Sequence, residues 1–224
     1  MLSTSSLTAT THPAMFARLS VLMKIVREET LISCGEYALS AEWKRTRTTL
    51  HKAIREVEWP VGSGKFTIYP EPGKARGRGN GVKPIKLGLM QELKRQGWKL
   101  EQPLSITVLK RPGNLDAVLY TKFGPVALEW ETGNISSSHR ALNKMALGLM
   151  KGVLAAGILV VPSRELYKYL TDRIGNMAEL DPYLELWRKI PCKRGVLEIV
   201  AVEHDATSLK VPRIPKGTSG RALQ

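Results

Sequence analysis

A mixed α/β fold, with a core of order α-β-β-β-α-β and helices ahead of it, is what the sequence predicts. Two observations carry that prediction. Apolar residues recur at helical spacing over 84–96 and 138–154, and short apolar or alternating runs lie between and after them. The chain has 224 residues, 43% hydrophobic and 24% charged, enough to bury one core. That composition excludes collagen-like, low-complexity and wholly disordered classes.

Along the chain, Phe16, Leu19, Leu22, Met23 and Val26 recur at helical spacing, and Trp43, Leu50, Ala53, Ile54 and Val57 do so again, which predicts two amphipathic helices. Lys44, Arg45, Arg47, Lys52 and Arg55 fill the other faces of the second, as a solvated surface or as a track along a phosphate backbone. Six glycines and four prolines fall between Pro60 and Pro84, so that stretch reads as loop. PIKLGLMQELKRQ reads as a helix opening at Pro84 and stopping at Gly97. Residues 104–109, 115–120 and 126–131 read as strands, the last two joined by a turn around 121–124. One of Ser136, Ser137 and Ser138 can cap the helix that runs to about 154. GILVVP at 157–162 is a short buried strand, Ser163 opens another helix, residues 183–187 are helical, and 196–202 form the last strand. The expected organisation is an N-terminal helical segment at 1–59, a basic Gly/Pro-rich arm at 60–83, a core at 84–210 and a basic tail at 211–224.

Charge departs furthest from the ordinary. Lys and Arg number 34 against 20 Asp and Glu, a formal +14, and residues 61–113 alone hold eleven basic against three acidic side chains. A nucleic acid or an acidic membrane surface is the natural complement of such an excess. Lys74, Arg76 and Arg78 sit on the predicted arm, a mobile cationic segment suited to phosphates. No nucleotide cofactor is expected, because GSGKF lacks the spacing of a phosphate-binding loop and no strand leads into GRGNG. Cys34 and Cys192 stand far apart without a CxxC or Cys/His cluster and read as buried, reduced thiols. The N-terminus shows no secretory pattern, and the longest apolar stretch, 152–161, is too short to span a bilayer. A cytoplasmic protein without a membrane partner is expected.

In VALEWE at 126–131 strand alternation sends Val126, Leu128 and Trp130 to one face and Ala127, Glu129 and Glu131 to the other. The preceding strand carries Asp116 among apolar residues, and a hairpin can set it beside Glu129. Neither strand offers a basic residue, so three converging carboxylates would repel one another unless cations are bound. A divalent metal is the simplest answer, and carboxylate oxygens suit Mg²⁺. An exposed sheet face whose acids have partners elsewhere would carry the same pattern.

The order α-β-β-β-α-β, with an acid on the second strand and ExE on the third, resembles the PD-(D/E)XK nuclease superfamily. Within it, NLDAVL at 114–119, PVALEWETGN at 125–134, the long helix and GILVVP resemble the BglII, BstYI and BamHI restriction endonucleases. The likeness covers roughly residues 80–175. It implies a restriction-endonuclease-like fold and a homodimer that clasps double-stranded DNA, needs Mg²⁺ and cuts short palindromes with a GATC core. Residue by residue it implies Asp116 and Glu129 as metal ligands, with the backbone carbonyl of Trp130 as a third oxygen. Glu131 falls where most of the superfamily has lysine, a departure shared with the BamHI-like branch. The water could then be activated by Glu131 or as a metal-bound hydroxide. Lys144 or His139 could instead lean into the site, although each fits a solvent-facing or phosphate-contacting helix position better.

Thr132 to Arg140 follows the acids directly, and Asn134, Ser137, His139 and Arg140 offer the donors and acceptors that base edges require. Asn143 is read on the same helix face as Arg140 and His139. Asn80 and Lys83 enter the first core helix, near where the family keeps an auxiliary polar residue. The His204-Asp205 pair reads as structural or exposed, and Ser163 and His51 lack a triad context. Two other functions share these features: an inactive DNA-binding module on the nuclease fold, and a repair or junction-resolving nuclease.

Overall fold

A computed structural model describes residues 23–75, 77–103, 113–171 and 174–216. The chain order is β1 (Lys24–Cys34), α1 (Gly35–Leu39), α2 (Ala41–Arg55), β2 (Thr67–Ile68), α3 (Lys83–Arg95) and β3 (Lys99–Pro103). It continues with β4 (Asn114–Thr121), β5 (Gly124–Trp130), α4 (Ile135–Met150), β6 (Ala156–Pro162), α5 (Arg164–Tyr167) and α6 (Met177–Leu180). A 3₁₀ turn (Asp181–Tyr183), α7 (Leu184–Arg188), β7 (Gly195–Glu203) and β8 (Ala206–Thr207) complete it. The run from α3 to β6 has the α-β-β-β-α-β order that the sequence predicts.

Six strands form one mixed sheet in the order β1-β7-β6-β5-β4-β3. β5, β6 and β7 run parallel at its centre, while β1, β4 and β3 join antiparallel. The central strands are buried on both faces, as the unbroken apolar run of β6 requires. On one face Val126, Leu128, Ile158, Val160, Val196 and Val200 pack with Leu50 and Ile54 of α2 and Leu89 and Leu93 of α3. On the other, Ala127, Leu159, Val161, Leu197 and Ile199 pack with Leu142, Met145 and Leu149 of α4 and Trp187 of α7. Gly157 lets α4 approach β6, since a Cβ there would stand 2.6 Å from Met145 Cβ.

Several expectations are corrected. Met23 and Val26 do not belong to a helix: residues 24–34 form an edge strand paired with β7. The strand read at 104–109 lies outside the described residues, and the described neighbour of β4 is the polar edge strand 99–103. The helix opened by Ser163 spans only Arg164–Tyr167, although Ser163 does cap it by accepting from Leu166 N at 3.0 Å. Segment 60–83 is mostly loop but not a free arm. Phe66 and Ile68 are fully buried, and Ile68 lies in the strand that pairs with β8. Asn80, 0% exposed, clamps three segments, with Nδ2 donating to Tyr69 O and Tyr169 O at 2.8 Å each and Oδ1 accepting from Ile214 N at 3.0 Å. Ile214, in the segment read as an irregular tail, is accordingly buried. Among the described residues no helix is long and apolar enough to cross a membrane.

Candidate active site

β4 and β5 pair from Thr121↔Gly124 as far as Ala117↔Leu128, and there the ladder ends. Asp116 comes next, and its Oδ2 accepts from the backbone N–H of Trp130 at 2.8 Å. A side chain thus takes over where the backbone pairing stops, which draws the carboxylate in front of the C-terminal end of β5. Glu129, on the face of β5 turned toward α4, completes the pair. Glu131 lies one residue beyond the strand, with its N–H held by Val160 O at 2.9 Å. All three acids line one pocket of about 480 Å³, together with Trp130, Lys86 and Lys144.

The acids are not left uncompensated, which corrects the expectation of mutual repulsion. Lys86 Nζ of α3 is ion-paired with Asp116 Oδ1, and Lys144 Nζ of α4 with Glu129 Oε1. Lys144 also donates to Asn114 O at 3.3 Å and is half-buried, with its side chain turned to the pocket rather than to open solvent. Lys86 is the residue that strand-level reading missed. No pattern in its own helix marks it, because only the packing of α3 against β4 brings it to Asp116.

Burial pushes the Glu129 carboxyl above its usual range, Asp116's negative charge adds to this, and Lys144 and Lys86 oppose it. Glu131 is also raised by burial, against hydrogen bonds that favour its charged form. Ser138 Oγ donates to Oε2 at 2.5 Å and Gly133 N–H to Oε1 at 2.5 Å, so both oxygens are fixed by the start of α4. Gly133 suits this turn, since a Cβ there would stand 2.9 Å from Ser137 Oγ and 3.2 Å from Glu131 Oε1.

The donor set fits Mg²⁺. Two hard carboxylates, Asp116 and Glu129, face an open pocket with room for water and a phosphate, the usual company of that ion. Among the described residues no group of three or more His, Cys, Asp and Glu side chains is placed to hold a metal ion together. Any bound ion would therefore draw its remaining ligands from backbone, water or substrate.

Residues proposed for DNA contact divide by position. Ser137, Arg140 and Lys144 follow helical spacing along one side of α4 and line the pocket. His139 and Asn143 occupy another side, so the single face read for Arg140, His139 and Asn143 is corrected. The His139 ring packs edge-on to Tyr183 with centroids 4.6 Å apart, and Asn143 Oδ1 accepts from Trp187 Nε1 at 2.9 Å. Burial lowers the His139 pKa. Asn134 is exposed and caps α4 through Ser137 N at 3.2 Å, a role the sequence left to the serines. Lys74 and Arg78 are exposed, and Lys74 borders a second pocket of about 370 Å³ with Arg164 and Lys168. Arg76 lies outside the described residues. Asn80 is a clamp with all its bonds inside the protein, not a group at the acids, and Lys83 opens α3. Asp205 Oδ2 accepts from Phe66 N at 2.8 Å, a structural contact.

Comparison with known proteins decides the family. The family model described as "Restriction endonuclease BamHI" matches residues 23–221. The chain belongs to the BamHI restriction endonuclease family. BamHI-family relatives include type II restriction enzyme OkrAI of Oceanobacter kriegii, 47% identical over 202 residues that cover 90% of this chain and all of OkrAI. Type II restriction enzyme BamHI of Bacillus amyloliquefaciens is 37% identical over 171 residues, covering 72% of this chain and 75% of that enzyme. The fold is similar to that of restriction endonuclease BglII in complex with a DNA 16-mer, with a TM-score of 0.52 at 14% identity over 82% of this chain and 79% of BglII. As a BamHI-family member the protein is a type II restriction endonuclease, a hydrolase of DNA.

Proposed function

We propose that the protein is a Mg²⁺-dependent endonuclease that cuts duplex DNA within a short palindrome, GATC-centred as the family resemblance implies, acting as a cytoplasmic homodimer. The observation that carries the reading is the pair Asp116 and Glu129 facing one open pocket, each matched by a lysine from a different helix. Asp116, Glu129 and the Trp130 carbonyl would hold Mg²⁺, which when bound supplies positive charge for the phosphate and lowers the pKa of its water. Glu131 is the base of this scheme, because Gly133 and Ser138 hold its oxygens in place while burial raises its proton affinity. Lys144 and Lys86 oppose the upward shift of Glu129, and their ammonium groups, paired with Glu129 and Asp116, stand ready for a phosphate once the carboxylates have another cation. Ser137 and Arg140 at the pocket wall meet the DNA, and Asn134 offers an amide beside them at the cap of α4. Lys74, Arg76 and Arg78 take the backbone phosphates, whose excess negative charge the +14 chain complements. His139 and Asn143 belong to this surface only where α7 leaves their edges open.

Digestion of unmethylated plasmid and phage DNA with Mg²⁺ and with EDTA, followed by sequencing of the ends, tests the proposal. Discrete Mg²⁺-dependent fragments with a common terminal sequence are expected, and Glu129→Ala should remove cleavage while retaining binding. Smeared products would replace site specificity by non-specific or structure-directed cleavage. Intact DNA that is retarded on a gel would make the protein a binding module.

A further inference from the structure

Cys34 is the last residue of β1, and its Cα pairs with Gly195 at the start of β7. Cys192 lies three residues ahead of that glycine, so two cysteines far apart in sequence meet at one corner of the sheet. Cys34 Sγ donates to Cys192 O at 3.1 Å and Cys192 Sγ to Arg194 O at 3.0 Å. Both thiols are free, and each is half-buried where the sequence reads them as buried. This corner is remote along the strands from the acids, for β7 and β6 begin here and the acids stand where β5 ends. Neither cysteine has a part in the proposed cleavage reaction.

We propose that Cys34 and Cys192 are a modification site, a dithiol that a hydroperoxide closes into a reversible disulfide. The two residues already touch in the reduced protein, because each thiol is anchored to a carbonyl of the 192–194 turn and the Cys34 thiol reaches the backbone of Cys192 itself. The order of events follows from their surroundings. Burial and the neighbouring Cys192 raise the pKa of the Cys34 thiol, whereas Cys192, equally half-buried, sits in a turn whose neighbours Pro191, Lys193 and Arg194 are exposed and leave it open to oxidant. Cys192 sulfur therefore attacks one peroxide oxygen as its thiolate, the O–O bond breaks, and the thiol proton ends on the departing oxygen, giving Cys192 S–OH and releasing the alcohol or water. Cys34 sulfur then displaces that hydroxyl, and its proton leaves with it as water. Two electrons pass from the thiols to the peroxide, and a dithiol reductant returns them. Closure ties β1 to the turn before β7 and restricts the unfolded chain across most of its length.

The reduced full-length protein is exposed to hydrogen peroxide and digested without reductant, and the peptides are identified by mass spectrometry. A cross-linked pair containing residues 34 and 192, lighter by two hydrogens and separated by dithiothreitol, is the expected product. The oxidised protein should also unfold at a higher temperature, and Cys34→Ser should leave a sulfenic acid on Cys192 that dimedone traps. DNA cleavage should be the same in both redox forms, so the outcome is independent of the proposed function. Recovery of two free thiols, of separate sulfinic acids or of intermolecular dimers would overturn the pair. Should Cys34→Ser fail to fold, the wild-type cross-link decides the matter by itself.

Discussion

Lys144 Nζ on α4 is ion-paired with the Glu129 carboxylate on β5, and the two side chains are 9% and 14% exposed. A half-closed ion pair of this kind sets the charge state of its carboxylate, because the ammonium opposes what burial does to Glu129. Lys144→Met removes that opposition and raises the Glu129 pKa further. Ionised Glu129 then requires a higher pH, so the acid limb of the cleavage profile should move upward. Cleavage at neutral pH should fall about tenfold, the effect of about 1.4 kcal/mol on a barrier, and recover in part as pH rises. Single-turnover rates against pH test this, and an unshifted limb would remove Lys144 from the control of Glu129.

Ser138→Ala deprives the Glu131 carboxylate of its side-chain donor and leaves it to backbone N–H groups, Gly133 first among them. Leaving a buried acceptor short of a partner costs about 1–3 kcal/mol. Urea unfolding should show that loss, and the Glu131 pKa should rise. Cleavage should fall more steeply toward acid pH than in the parent, if Glu131 is the base.

Asn80→Ala separates a clamp from a group at the metal. Its three hydrogen bonds tie residues 69, 169 and 214 together, so truncation should lower stability by about 1–3 kcal/mol. Cleavage by the folded variant, measured well below its unfolding temperature, should stay within about twofold of the parent. A large loss of rate without a loss of stability would return Asn80 to the active site.

Glu198 of β7 is 1% exposed, and burial raises its pKa from 4.5 to about 7. Arg47 of α2 faces it at 3.0 Å and also holds Glu28 of β1, which His51 meets at 2.6 Å. The folded state keeps the Glu198 proton that the unfolded chain gives up. Its contribution to stability is therefore complete below about pH 4.5 and is lost as pH rises through about 7. His51 is shifted downward, and it acts in the opposite sense, losing stability as pH falls. Glu198→Gln leaves His51 in place, so the difference between the two stability curves isolates the glutamate. Denaturation midpoints compared at about pH 5 and about pH 8 should show the parent losing more on the alkaline side than the variant.

The reach of sequence reasoning is clearest where it failed. Residues 24–34 make an edge strand, yet register shifts between Ile25 and Arg27 and between Thr30 and Ile32 break its two-residue alternation, so no strand signal competes there with a helical spacing that runs from Phe16 to Val26. KLEQP at 99–103 gives no hydrophobic signal because an edge strand need bury little. Segment 60–83 spells out loop through its glycines and prolines, but composition cannot tell a free arm from one fastened at Phe66, Ile68 and Asn80.

What the sequence by itself determined is whatever is local or periodic. The succession of α3, β4, β5, α4 and β6, the twin faces of β5 and the placing of Asp116 and Glu129 on adjacent strands all follow from spacing, since side-chain direction is fixed by backbone geometry. Tertiary structure alone decided which cations meet those acids, that Asn143 turns toward Trp187 while Arg140 lines the pocket, and that Cys34 lies against Cys192. Those relations join residues from separate elements. They depend on how helices pack over the sheet, and no stretch of neighbouring residues encodes that angle.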